Sequence, residues 1–231
     1  MQVITNLEQN SEEWRIWRKP RIGGSDDKGI KPLSRGKLKG LVEGAVGFWQ
    51  LVANTYAIEK DIEDERERGH RLEAENLMLT NLKCGTSMSK AGVWISNFSE
   101  YVHISPDGAD EGDSPIHAFE GKAFDTHKHL SVIYFDLLEK KKEDYNPIFS
   151  LPVDNQDQAI KYFNVSETLE VLHWAMINEM VVYDELCHYV IDIKREHVAN
   201  LIDAQQTVEL AAINKRTEVI KFMLNELKTN K

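Results

Sequence analysis

The chain has 231 residues, enough for one large domain with a substantial core. Hydrophobic residues make up 42% and charged residues 29%, the composition of an ordinary soluble globular protein, and no apolar run is long enough to span a bilayer. The net charge of −10 argues against indiscriminate binding to nucleic acid, though it leaves room for a carboxylate-rich metal site with a locally basic groove.

Ser11, followed by Glu12 and Glu13, opens a helix that carries Trp14 and Trp17 at helical spacing to Arg18, and Pro20 stops it. Ile22-Gly23-Gly24-Ser25-Asp26 reads as a turn into another helix. Residues 33–40 read as a basic, glycine-bearing loop, and the apolar stretch to about Ile58 as helix. Charges dominate from Asp61 to Lys83, a helix interrupted or entered near Gly69. The period then changes. Gly92–Phe98, Tyr101–Ser105 and Ile116–Phe124 are short, aromatic and β-branched, and read as a three-stranded meander followed by a polar connection containing Lys140-Lys141-Lys142. Asp154 begins a helix. Leu169–Met180 fits a helix by propensity and a buried strand by its run Val171–Ile177. Cys187–Ile193 alternates as a strand, and Glu196 to Leu227 forms one or two amphipathic helices. Together these elements predict an α/β fold with a central mixed sheet flanked by helices. A single domain is expected, with a helical part over about 1–90, a sheet core over about 91–195 and C-terminal helices over about 196–231.

Met1 to Asn6 lacks a basic stretch followed by an apolar core, so no secretory signal is expected. Cys84 and Cys187 make no Cys-x-x-Cys pair and read as reduced, half-buried thiols. A cytoplasmic location is expected, the host cytoplasm if a phage encodes the chain.

The residues that carry chemistry centre on Ser105-Pro106-Asp107-Gly108 and Glu120-Gly121-Lys122. On a strand, Glu120 and Lys122 share a face because side chains alternate with period two. A carboxylate and an ammonium thus converge on one phosphate, with Asp107 beside them. Oxygen ligands suit Mg²⁺, and the lysine supplies fixed positive charge where charge develops on the phosphate. The plain alternative is a Pro-Asp-Gly turn beside a cross-strand ion pair.

Four further segments accompany this pair in order. They are Trp17-Arg18-Lys19-Pro20-Arg21-Ile22-Gly23-Gly24-Ser25-Asp26, Gly69-His70-Arg71-Leu72-Glu73, Gln156-Asp157-Gln158, and Tyr162 four residues beyond Gln158. Together they resemble the lambda-exonuclease (YqaJ-like) family of viral recombination nucleases, a branch of the PD-(D/E)xK superfamily. The resemblance implies that Arg21 and Ser25 face the 5′-phosphate of DNA, where a guanidinium fork and a hydroxyl suit phosphate oxygens. It implies Asp107, Glu120 and Lys122 as catalytic residues and Glu73, Asp107 and Glu120 as metal ligands, with Glu75 the fallback for Glu73. Gln156, Gln158 and Tyr162 would order the site or the DNA. Ala123-Phe124 replace the Cys-Pro that often follows in the family, and Asp110–Pro115 lengthen the turn between Asp107 and Glu120. His127 and His129 are expected in structural or DNA-backbone contacts, since hard Mg²⁺ prefers oxygen.

The implied activity is Mg²⁺-dependent 5′→3′ digestion of linear double-stranded DNA, leaving 3′ single-stranded tails for phage recombination. Two ions per site are expected, and Mn²⁺ is able to substitute. The expected partners are double-stranded DNA ends, a single-strand annealing protein and further copies of the chain, a trimeric ring by resemblance; no membrane is involved. Arg66, Arg68, Arg71 and the 35–39 loop would supply local positive charge. A PD-(D/E)xK endonuclease and a non-catalytic module that binds DNA ends through the same fold are the alternatives.

Overall fold

The computed structural model describes residues 1–18, 21–24, 33–34, 37–38, 65–124, 126–179, 181 and 184–229. The N-terminal strand β1 (Gln2–Ile4) precedes helix α1 (Glu12–Arg18), whose start is capped by Ser11 Oγ accepting from the Trp14 amide at 3.1 Å. Residues 33–40, read from sequence as a loop, contain a small hairpin, β2 (Leu33–Ser34) and β3 (Lys37–Leu38). Helix α2 (Glu65–Cys84) passes through Gly69 without interruption. The helix anticipated up to Ile58 lies outside the described residues.

The expected meander is divided between two sheets. Strands β4 (Val93–Ile95) and β5 (His103–Ile104) pair antiparallel, and β1 joins them on the far side of β4. Pro106 follows β5 after a single residue, Ser105, and a proline has no amide to continue a ladder. The chain then starts a second sheet with β6 (Gly108–Ala109) and β7 (His117–Lys122). Strands β8 (Val171–Ile177) and β9 (His188–Lys194) complete it in the order β6-β7-β8-β9. Strands β7 and β8 run parallel and the other pairs antiparallel, so this four-stranded sheet is mixed. Six of the seven β8 residues are buried, which is why the segment reads as a continuous apolar run.

Between β7 and β8 lie α3 (Thr126–Glu139), a 3₁₀ turn at Pro147–Ser150 and α4 (Val153–Val165). Helix α3 stands where sequence suggested only a polar connection. Val132 and Ile133 are buried while Leu130, Tyr134, Phe135, Leu137 and Leu138 are exposed, so its apolar residues form no single stripe. A short helix α5 (Asp184–Cys187) leads into β9, and α6 (Arg195–Thr229) closes the chain as one continuous helix. No helix among the described residues is long and apolar enough to cross a membrane.

The main core lies between the mixed sheet, α4 and α6, where Leu172, Trp174 and Met176 meet Tyr162, Phe163 and Ile213. Helix α2 covers the opposite sheet face through Leu77, Met88, Phe119 and Ala175. Gly121 makes this covering possible. A Cβ there would stand 3.2 Å from Asn76 Nδ2 and 3.0 Å from Phe119 Cζ, so the residue between Glu120 and Lys122 must be small. Cys84 and Cys187 are free, partly buried thiols.

Candidate active site

The cleft lies at the end of β7 that carries Glu120, Gly121 and Lys122, with α1 and the first half of α2 along its sides. It holds about 400 Å³ and is lined by Asp107, Glu120, Lys122, Glu73, Gln158 and Asn76, among others. Each functional side chain arrives by local geometry. Strand alternation puts Glu120 and Lys122 on one face. Helical spacing puts Gln158 and Tyr162, four residues apart on α4, over that face.

Glu120 is 4% exposed and accepts hydrogen bonds at both oxygens. Gln158 Nε2 donates to Oε1 at 2.6 Å, Lys122 Nζ donates to the same oxygen, and Tyr162 Oη donates to Oε2. Lys122 Nζ also reaches Gln158 Oε1 at 3.1 Å and sits 4.8 Å from the Trp174 ring centroid, a cation–π contact. Asp107 Oδ2 accepts from the Gly121 amide at 2.9 Å, which pins the Ser-Pro-Asp-Gly turn to β7. Burial, with the negative charges of Glu120 and Glu73, holds the Asp107 carboxyl well above its usual range against the pull of Lys122. Burial, with the charges of Glu120 and Asp107, likewise pushes the Tyr162 phenol well above 10, so it remains a donor.

Glu73 lines the cleft, with His70 Nδ1 3.4 Å from its Oε2, whereas Glu75 is exposed on another face of α2. The structure therefore gathers Glu73, Asp107, Glu120, Lys122, Gln158 and Tyr162. It does not gather Gln156, whose Nε2 donates to the Leu151 carbonyl at 3.0 Å. Arg21 lies beside the cleft: its Nη1 donates to the Trp17 carbonyl at 2.5 Å and its guanidinium covers the Trp17 ring at 4.2 Å. Ser25 lies outside the described residues, as does the His127 side chain. His129 is buried, with Nε2 2.6 Å from the Leu186 carbonyl oxygen, a structural contact.

Sequence reasoning missed Trp14, Arg15 and Arg18 of α1 and Asn76 of α2, all of which line the cleft. Asn76 was within reach, being one helical turn beyond Glu73. The α1 residues were not, because their role depends on where the helix docks.

Chemically, the donor set facing the cleft is three carboxylates with an amide. Asn76 Nδ2 donates to the Ala175 carbonyl, while its Oδ1 has no hydrogen-bond partner among the described residues. Three carboxylates crowded in one cleft, where burial and the charges of Glu120 and Glu73 raise the Asp107 pKa, fit a hard divalent cation, whose charge relieves their repulsion.

The fold is similar to that of two exonucleases of known structure. Among solved structures, the alkaline exonuclease LHK-Exo from Laribacter hongkongensis superposes with a TM-score of 0.67 at 16% identity, covering 94% of this chain and 100% of that one. The same protein in complex with dAMP gives 0.66 over the same shares, again at 16% identity. A phage-related exonuclease from Haemophilus somnus 129PT gives 0.60 at 15% identity over 88% of this chain and 96% of that one. By sequence, the chain matches no protein-family model and no curated protein.

Proposed function

We propose that the protein is a Mg²⁺-dependent 5′→3′ exonuclease that digests linear double-stranded DNA and leaves 3′ single-stranded tails for recombination. The observation that carries this reading is the convergence of Glu73, Asp107, Glu120 and Lys122 on one cleft bordered by Arg15 and Arg18. The fold likeness to two exonucleases supports it, as does the mononucleotide dAMP held by one of them.

Glu73, Asp107 and Glu120 would hold the Mg²⁺, two ions per site by the resemblance, with Mn²⁺ able to replace them. When bound, the metal supplies Lewis acidity at the phosphate and activates water at neutral pH. The protein's own groups do the rest. Tyr162 and Gln158 fix the Glu120 carboxylate. The ammonium of Lys122 neutralises charge developing on the phosphate. Arg15 and Arg18 bind backbone phosphates along the cleft, and Arg21 with Ser25 would receive the 5′-phosphate. The partners of this reading are DNA ends, a single-strand annealing protein, and further copies of the chain in a ring, in the cytoplasm.

The test is linear duplex labelled at the 5′ end, incubated with Mg²⁺ or with EDTA beside covalently closed circles. Labelled mononucleotide should appear early, from the linear substrate alone and with Mg²⁺ alone. Cutting of closed circles would replace this reading with an endonuclease. No release of nucleotides by the wild type, with DNA ends still bound, would replace it with a binding module. Lys122→Ala should lower turnover by about 10²–10³ with DNA binding retained. Arg21→Ala should impair 5′-phosphorylated ends more than 5′-hydroxyl ends; equal losses on both refute its assigned role.

A further inference from the structure

The other end of α2 brings together a second set of ligand-type side chains. His117, His173 and Asp192 stand on three adjacent strands, β7, β8 and β9, with His173 and Asp192 directly paired across the ladder. Strand alternation puts them on the sheet face that α2 covers, the face of Phe119 and Ala175. Cys84, the last residue of α2, completes the group. Its Sγ, a His173 ring nitrogen and an Asp192 carboxylate oxygen all lie within 4.8 Å of one another. His173 is 3% exposed, Cys84 is partly buried and Asp192 is exposed, so the group is anchored in the interior and open to solvent on one side.

The histidine is already oriented. Its Nε2 lies 3.0 Å from His117 Nδ1, with the two rings 12° from parallel, and its Nδ1 lies 2.7 Å from Asp192 Oδ1. A hydrogen bond on one ring nitrogen fixes the ring and directs the other toward a ligand.

We infer that Cys84, His173 and Asp192 bind a thiophilic divalent cation of the Zn²⁺ type, separate from the phosphodiester cleft. Thiolate and imidazole select such an ion, whereas the all-oxygen cleft selects Mg²⁺. Three protein ligands with an open side leave the fourth tetrahedral position to water. Ligands bonded at about 2.0–2.3 Å stand roughly 3.3–3.8 Å apart in a tetrahedron, so occupancy needs only small side-chain adjustments from the spacing present. The same residue types serve nucleophilic thiol chemistry, but Cys84 lines neither the cleft nor the smaller cavity beside β4 and β6. The consequence is mechanical. The ion ties the end of α2 to β8 and β9, and Glu73 rides eleven residues up that helix, about 16 Å away.

The experiment uses tag-free, metal-stripped full-length chain titrated with Co²⁺ in excess Mg²⁺, then with Zn²⁺. One equivalent of Co²⁺ should give a near-ultraviolet thiolate-to-cobalt charge-transfer band that Zn²⁺ abolishes. Cys84→Ser should lose the band and Cys187→Ser should keep it. Asp192→Asn, a surface change that spares the fold, should weaken Co²⁺ binding at least tenfold. Zn²⁺ should raise the thermal midpoint of the wild type and leave that of Cys84→Ser unchanged. Absence of the band from the wild type, or its persistence in Cys84→Ser, overturns the inference. No DNA enters either measurement, so this result is independent of the nuclease reading.

Discussion

Glu120 shows how much of the proposed chemistry depends on a single carboxylate being held still. Tyr162 donates to one of its oxygens while Gln158 and Lys122 donate to the other. Tyr162 acts through Glu120 and so is a positioning residue. Tyr162→Phe removes one donor and leaves an oxygen in an apolar wall, a loss of about 1–3 kcal/mol at that group. Turnover should fall about tenfold or more, and the Mg²⁺ concentration for half-maximal rate should rise, while DNA-end affinity stays near the wild-type value. A fall in DNA affinity without a change in Mg²⁺ requirement would place Tyr162 against the DNA instead. Gln158→Glu sharpens the test by setting a second negative charge against Glu120 Oε1, and should be the more damaging change.

At the scale of elements, α4 carries Gln158 and Tyr162 on one side and is fastened to α6 on the other. Lys161 Nζ donates to Glu209 Oε1 at 2.7 Å with both side chains fully buried, and Asn164 Nδ2 donates to Glu209 Oε2 at 2.8 Å. Glu209→Ala removes the Glu209 counter-charge from a buried ammonium, which costs about 3–5 kcal/mol. Urea unfolding should show that loss at unchanged m-value. Joint replacement of Lys161 by Met and Glu209 by Leu should recover most of it. A second fastening joins α3 to β9. Tyr145 donates to Asp136 Oδ1 at 2.8 Å, and Tyr189 and Lys140 donate to Oδ2 at 2.7 Å. Burial alone would raise the Asp136 pKa, but these donors hold it below 3.8. A carboxyl depressed on folding stabilises above its unfolded pKa and loses that contribution as pH falls through the folded value. Asp136→Asn should therefore be less stable than wild type at pH 7, with the gap closing below about pH 4 in denaturation series. A gap constant with pH would remove the charge from the explanation.

These elements also mark what the sequence reveals. Glu120 with Lys122, and Gln158 with Tyr162, were legible because period two and period 3.6 are local facts. Gln156 sits two residues from Gln158, on another side of the helix, and its separation from the site follows from the same rule. Strand β8 was ambiguous because burial on both faces erases alternation. The break between β5 and β7 has a local mark in Pro106, whereas the pairing of β1 with β4 is a contact across about ninety residues that no local pattern encodes.

For the whole molecule, the proposed function requires a chain with a net charge of −10 to engage a polyanion. The cleft gives a local answer, with Arg15, Arg18 and Lys122 on its lining and Arg21 beside it. Arg71 adds little, since both its terminal nitrogens are engaged by Glu179 at 2.9–3.1 Å. About four cations in contact with phosphates correspond to a slope of roughly −4 in log affinity against log salt. An open, generally basic surface making eight or more contacts would give about −7 or steeper. Anisotropy of a fluorescent duplex end, with Ca²⁺ replacing Mg²⁺ to prevent cleavage, distinguishes the two. A shallow slope alongside sustained digestion at moderate salt is what a few aimed cations and a ring around the duplex produce together, because topology keeps the enzyme on DNA when charge does not. A steep slope would mean that charges beyond the cleft dominate binding. In that case Arg18→Ala, expected to flatten the slope by about one, would leave it unchanged within error.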